Sequence, residues 1–292
     1  METQTALQKT LHFFLTKILI GIVLVVGLIA FVEWAGRLLL DATQLTPESK
    51  NIIIAIFDSA IALSGYIFLF RIYEKRRIEE LSLATFGKNA IIGFATGLIL
   101  QSLFVLVIYL TGGYEVIRTN PFSFLLPSFA AAFTAGFVSE ILIRGIVFRL
   151  IEEKLGTVIA LIIFALLFAI AHLNAAGATA LSVLATAMQA GIVLSAAYIF
   201  TRSLWFTIFL HFAWDFAEPG IFGAINPGNT IEQSLFTSKI TGSAFLTGGE
   251  SGPQNSIQAL IFCSITGLIF LWLAKKKNNF IKPYWKNKPS HP

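Results

Sequence analysis

Long apolar segments dominate this chain and constrain its fold more than any other feature. Hydrophobic residues make up 56% of the 292 residues and charged residues only 13%, whereas a soluble domain has about 25% charged residues. A helix that crosses a bilayer needs about 20 mostly apolar residues. Eight segments meet or approach that length: 13–32, 51–70, 89–110, 122–148, 157–171, 179–200, 203–217 and 257–274. We therefore predict an all-α fold, a polytopic membrane helical bundle of about eight transmembrane helices.

The positions of lysine and arginine predict how these segments are oriented. With both termini in the cytoplasm, 16 basic residues lie on the cytoplasmic side, four lie outside, and Arg144 lies within the membrane. Cytoplasmic loops carry such an excess of basic residues. The basic tail at 275–288 follows the last segment directly, which favours an anchor on anionic lipid over a nucleic-acid arm. We predict a multi-pass protein of the cell membrane with cytoplasmic N- and C-termini, membrane lipids as partners and no nucleic acid.

Five ionisable residues lie within or at the ends of the apolar segments, where charge is costly. They are Glu140, Arg144, His172, His211 and Asp215. A charged side chain at the centre of a membrane helix costs about 2.5–3.5 kcal/mol on insertion scales, and such residues usually face the bundle interior. Because three separate segments contribute them, we predict one buried polar cluster with a functional role.

The spacing within this cluster indicates how its side chains pair. Glu140 and Arg144 are four residues apart, as are His211 and Asp215, so each pair shares one helix face. Glutamate, histidine and aspartate together can bind Zn²⁺ or polarise a water molecule. Zinc is therefore a candidate cofactor, with His172 and His211 as its candidate ligands. Each histidine taken alone is also typical of a structural residue in a core.

The order of three motifs gives the chain a family resemblance. SEILIRG, FAIAH and HFAWD follow one another between residues 121 and 218, and they resemble the motifs of the CPBP intramembrane proteases. That family is also called the CAAX protease or abortive-infection family. Phe168 with His172 matches its second motif, and His211 with Asp215 matches its third. The resemblance implies a helical bundle with a conical cavity, and hydrolysis of a peptide bond in a peptide or lipidated protein substrate.

The first motif departs from the family pattern at one position. The family has two successive glutamates, and this chain has Ser139 followed by Glu140. The resemblance implies that the first glutamate activates water together with the residue matching His172, and that Glu140 instead pairs with Arg144. Neighbouring residues on an α-helix point about 100° apart. Glu140 is therefore not expected to replace the missing glutamate without rotation of the helix.

The motif residues leave three hypotheses for the site. In the first, which we favour, an active hydrolase takes Glu140 or Asp215 as base, while His172 and His211 hold water or a metal. In the second, a catalytically impaired pseudoprotease keeps the cavity and binds a peptide or lipidated tail. In the third, Ser139 is a nucleophile with His172 as its base.

A different class of protein is also compatible with these residues. An acid–histidine chain within a membrane suits a proton-coupled transporter, and Asp58 in the second segment would extend it. We divide the chain into N-terminal transmembrane helices at 1–120, a protease-like core at 121–218, and an outer loop with the last helix and tail at 219–292. The outer loop at 218–256 is expected to control access to the core.

Overall fold

The computed structural model describes residues 13–175, 177–224 and 233–286, and this part of the chain is mostly helical. Six helical runs are long and apolar enough to cross a membrane: Phe14–Asp41, Pro47–Tyr73, Leu83–Leu110, Phe122–Leu155, Ala180–Thr201 and Ile257–Lys276. They correspond to six of the eight predicted segments. The prediction of an all-α, multi-pass membrane protein is therefore confirmed.

The helices that make up the bundle are numbered here in chain order. They are α1 (Phe14–Asp41), α2 (Pro47–Ile67), α3 (Phe86–Leu110), α4 (Leu126–Thr134), α5 (Arg149–Leu155), α6 (Thr157–His172), α7 (Ala180–Thr186), α8 (Leu194–Thr201), α9 (Leu204–Phe216), α10 (Ala244–Thr247) and α11 (Ile257–Lys276).

The other two predicted segments form shorter helices, α6 with 16 residues and α9 with 13. Both are shorter than the about 20 residues that a spanning helix needs. In α9 nine residues are buried, among them Trp205, Leu210 and Trp214. Helix α9 packs along α3 and also contacts α4 and α8, so it lies inside the bundle. These two helices carry His172 and His211.

The run from Phe122 to Leu155 is not a regular α-helix. Between α4 and α5 the chain forms two wide-turned π-helical stretches, Ala135–Ser139 and Ile141–Phe148. Such turns are rare and often occur at functional sites. Here Ser139 ends the first stretch, Arg144 lies in the second, and Glu140 lies between the two.

A short antiparallel ribbon, which the sequence analysis did not predict, lies outside the helices. Strand β1 (Tyr114–Thr119) pairs with β2 (Phe236–Ile240), with Tyr114 opposite Ile240 and Thr119 opposite Phe236. The ribbon joins the segment after α3 to the predicted outer loop. It therefore fixes part of the loop that continues towards α11.

The basic loops predicted to be cytoplasmic meet at one end of the bundle. Three contacts join them: the Lys17–Glu74 ion pair at 2.9 Å, the Arg149 guanidinium 4.0 Å from the Phe70 ring centre, and the Arg202–Glu152 ion pair at 2.6 Å. This arrangement agrees with the charge asymmetry of the sequence. That this end faces the cytoplasm stays a prediction.

The three sections assigned from the sequence share one hydrophobic core. Tyr66 from the first section, Phe148 from the second and Ala274 from the third belong to the same buried cluster. The boundaries at 120 and 218 therefore divide the sequence, but residues on both sides of each boundary pack into the same hydrophobic core.

Two glycines allow α3 and α9 to pack closely. A Cβ atom at Gly93 would lie 2.3 Å from the Phe206 carbonyl oxygen, and one at Gly97 would lie 2.3 Å from that of Leu210. Small residues four apart let membrane helices approach in this way. The contact places α9, and with it His211, at a fixed depth beside α3.

We predict that Gly97→Ala destabilises the protein by about 1–3 kcal/mol, because the added methyl group would force the α3 and α9 backbones apart. Thermal unfolding of the purified protein in detergent measures this. Gly87→Ala in the same helix is the control, because no atom lies within 4 Å of its added Cβ. Equal unfolding temperatures for the two variants would contradict the packing account.

Candidate active site

A cavity of about 280 Å³ brings together three of the predicted site residues. His172, His211 and Asp215 all line it. Its remaining polar lining comes from α7, the π-helical stretch after it, and the loop before α11: Ser182, Thr186, Gln189, Ser251, Gln254 and Asn255. His172 ends α6 and Asp215 lies near the end of α9, so the cavity lies towards the end of the bundle opposite the basic loops.

His211 lies between two carboxylates. Its Nδ1 is 2.8 Å from Glu140 Oε1, and its Nε2 is 3.2 Å from Asp215 Oδ2. An ionised carboxylate only accepts hydrogen bonds, and an imidazole donates from both nitrogens only when it is protonated. The geometry therefore fits an imidazolium ion at His211.

Glu140 and Arg144 form a fully buried ion pair, with Arg144 Nη1 2.8 Å from Glu140 Oε1. Arg144 also donates to the Ala190 carbonyl oxygen, and its guanidinium lies 5.4 Å from the centre of the Phe168 ring. Glu140 Oε1 thus accepts from both Arg144 and His211. Glu140 reaches His211 from the protein interior and is not among the residues that line the cavity.

The charges of this network balance. Arg144 and an imidazolium at His211 supply two positive charges, and Glu140 and Asp215 supply two negative charges. A buried charge without a partner is strongly destabilising. The four residues therefore stabilise one another as a set. We call them the ion network.

His172 has a different environment from His211. Its Nδ1 is 2.9 Å from the Phe168 carbonyl oxygen in the preceding turn of α6. Because a carbonyl oxygen can only accept, Nδ1 carries the proton in this contact. The Nε2 atom of a neutral His172 is then unprotonated. The Phe168 ring stacks at 6.4 Å from the imidazole of His172, with 23° between their planes.

Ser139 and Asp58, two residues of the alternative hypotheses, are not part of this cavity lining. Ser139 is half-buried, and no hydrogen bond joins it to His172 in the described residues. Asp58 is buried and lines a separate cavity with Glu33 and Arg37. The described structure therefore does not connect Asp58 to the ion network.

The loop before α11 contributes residues that sequence reasoning did not single out. Gln254 Oε1 accepts from Trp214 Nε1 at 3.1 Å, and the Gln254 carbonyl oxygen accepts from Gln189. These contacts hold the loop across the cavity. Their only signal in the sequence is a polar PQN stretch between a glycine-rich loop and the last apolar segment.

The residues as arranged do not fit a zinc ion. Both ring nitrogens of His211 contact carboxylates, and Nδ1 of His172 contacts a carbonyl oxygen. Zinc sites usually take three or four protein ligands. No group of three histidine, cysteine or acidic side chains in the described residues could hold a metal ion. Zinc binding by His172 and His211 would require His211 to leave Glu140 or Asp215.

Comparison with known families agrees with the family resemblance that the three motifs indicate. Residues 121–217 match the family described as type II CAAX prenyl endopeptidase Rce1-like. We call this segment, for its similarity to that family, the Rce1-like segment. It covers a third of the chain and contains the whole ion network and His172. Neither a curated protein nor a solved structure matches the chain significantly.

We predict that Arg144→Met lowers the free energy of unfolding by about 3–5 kcal/mol, because Glu140 loses a buried partner. Thermal unfolding in detergent and membrane yield measure this. Adding Glu140→Gln should restore part of the loss, because the unpaired charge is removed. An unfolding temperature for Arg144→Met equal to that of the wild type would contradict the role of the ion pair.

Metal analysis of the purified protein tests the zinc hypothesis against the geometry. We expect less than one zinc ion per chain, and no loss of any hydrolytic activity with a chelator, because His211 has no free nitrogen. Asp58→Asn serves as the control variant for nonspecific metal binding. Stoichiometric zinc that disappears in His211→Ala would contradict this expectation.

Proposed function

We propose that the chain is a membrane-embedded endopeptidase that hydrolyses a peptide bond in a membrane-associated or lipidated protein. The observation that carries the proposal is that two histidines of the Rce1-like segment, with different hydrogen-bond partners, line one cavity. A neutral imidazole can take a proton, and an imidazolium can stabilise negative charge. Hydrolysis of an amide needs both a proton acceptor and a group that stabilises negative charge.

His172 is the residue we assign as general base. In a neutral ring, its contact with the Phe168 carbonyl places the proton on Nδ1 and leaves Nε2 able to accept one, and His172 lines the cavity. In the proposed step, Nε2 takes a proton from a water molecule while the water oxygen attacks the carbonyl carbon of the scissile bond. A positioned general base contributes about 10²–10⁴-fold to a rate. His172 then returns the proton to the leaving amine.

His211 is the residue we assign to the negative charge that develops on the carbonyl oxygen, through its Nε2–H, which would turn to that oxygen from Asp215 Oδ2 at 3.2 Å. Glu140 would hold the imidazolium by Nδ1 meanwhile, and a charged donor aimed at the oxyanion is often the largest single contribution to catalysis. Asp215 lines the cavity and orients the ring from the substrate side. Glu140 and Arg144 hold the ring from the protein side.

The shape and lining of the cavity favour a short extended peptide segment as substrate. Ala175, Ala178 and Ala190 leave room next to the histidines, while amide and hydroxyl groups of the lining can bond to peptide groups. A volume of about 280 Å³ holds only a few residues. The rest of the substrate would lie in the loop region or in the membrane.

Binding without cleavage is the second candidate function, and Ser139 is the observation that favours it. The family has a glutamate where this chain has serine, and a hydroxyl is not a general base at neutral pH. A protein with this cavity and a weak base would retain a peptide or lipidated tail without cutting it.

The two functions are distinguished by quantitative terminal proteomics on membranes from cells that express the wild type or His172→Ala. We expect new protein termini with the wild type that are absent with His172→Ala, because the base is removed. Asp58→Asn, in a separate cavity, is the matched control and should keep the wild-type termini. Identical termini for all three proteins at equal expression would support binding without cleavage.

We also predict that Ser139→Glu raises the hydrolytic rate about tenfold or more, because it adds the carboxylate that the family uses beside the base. Initial rates on a substrate found by the proteomics measure this. Ser139→Gln adds a side chain of similar size without the charge and should not raise the rate. A lower rate for Ser139→Glu would show that the site works without an acid at this position.

A further inference from the structure

A second and larger cavity lies at the basic end of the bundle. Its volume is about 1010 Å³, against about 280 Å³ for the candidate active site. It is bounded by the end of the α2 run, the loop at 74–83 and the start of α9. Neither the family match nor the proposed hydrolysis gives this cavity a role.

Four basic side chains line the cavity: Arg71, Lys75, Arg76 and Arg77. In the described residues, Arg76 pairs with Glu80, whereas Arg71, Lys75 and Arg77 have no ion pair. Among the described residues that line the cavity, Glu79 has the only carboxylate. The cavity therefore presents an excess of positive charge.

The loop that carries these cations is held in a defined shape. Lys75 has a left-handed backbone, with φ of 54°, which a non-glycine residue adopts at an energetic cost. Arg76 donates to Glu80, and the Glu80 carbonyl oxygen accepts from the Leu204 amide at 2.9 Å. Burial alone would raise the pKa of Glu80, but its bonds to Arg76 outweigh burial and lower that pKa below its ordinary value. Glu80 thus stays ionised and fixes the loop.

The other wall of the cavity is apolar. Leu63 and Ile67 of α2, Leu83 and Trp205 line it. Ile67 is 40% exposed and Leu83 is 80% exposed, so this wall is open towards the surface that lipid covers. A soluble phosphate compound has no apolar group that could pack against this wall, whereas the acyl chain of a lipid would cover it.

We propose that this cavity binds one anionic glycerophospholipid. Its phosphate lies among Arg71, Lys75 and Arg77, and one acyl chain lies along the wall of Leu63, Ile67 and Trp205. Arginine and lysine are the side chains that proteins use for phosphate groups, and cations next to a membrane span attract anionic lipid. The cavity lies at the end of Pro47–Tyr73, a run long and apolar enough to cross a membrane, and lipid phosphates are expected beside such an end.

Native mass spectrometry of the delipidated full chain in detergent tests the proposal. We expect one bound phosphatidylglycerol, with about tenfold weaker binding of phosphatidylcholine of the same chains, because the net negative charge is lost. The triple variant Arg71→Gln, Lys75→Gln, Arg77→Gln should weaken phosphatidylglycerol binding about tenfold or more. The control Arg37→Gln, Arg118→Gln, Lys239→Gln removes equal charge at the opposite end of the bundle and should retain it.

Three results would overturn the proposal. These are equal binding of the two lipids, equal loss in the two triple variants, and competition by glycerol phosphate as strong as that by the lipid. The last result would mean a site for a soluble phosphate compound. If the triple variant does not fold, the single variant Arg77→Gln is used in its place. It should fold, because this exposed side chain has no ion pair in the described structure. It should weaken phosphatidylglycerol binding about threefold.

Discussion

The position of His211 between Glu140 and Asp215 is the interaction on which the rest of the site depends. It joins α9 to Glu140, which lies between the two π-helical stretches, and it completes a network in which the buried carboxylate of Glu140 and the partly exposed one of Asp215 balance two cations. An isolated charge at this depth would be costly. The ion network stabilises these charged side chains inside an apolar bundle. The close packing of α3 on α9 fixes the depth at which His211 lies.

The same network separates the roles of the two histidines. In the proposed mechanism His211 keeps its Nδ1 contact with Glu140 and turns Nε2–H from Asp215 to the developing negative charge, whereas His172 is held at one nitrogen by its own helix. The base that we propose, His172, therefore does not depend on an acid at position 139. Under this proposal a chain with Ser139 retains a hydrolytic site, and Glu140 serves as a partner of His211 and Arg144.

Much of the fold and the cluster could be predicted from the sequence because both follow from local rules. Apolar segments of about 20 residues and basic loops gave the membrane bundle, and four-residue spacing gave the two pairs Glu140–Arg144 and His211–Asp215. The contact between Glu140 and His211 could not be predicted, because it depends on two wide π-turns that have no sequence signal. The β1–β2 ribbon and the contacts of Gln254 join residues that are 40 or more positions apart in sequence. Only the folded chain brings them together.

The protonation of the two histidines tests the central claim most directly. Solid-state nitrogen NMR of the protein labelled at histidine, in lipid at neutral pH, reports which ring nitrogens carry protons, and histidine substitutions assign the signals. The account predicts that both nitrogens of His211 are protonated and that His172 is protonated at Nδ1 alone. A neutral His211, or a His172 protonated at Nε2, would contradict it.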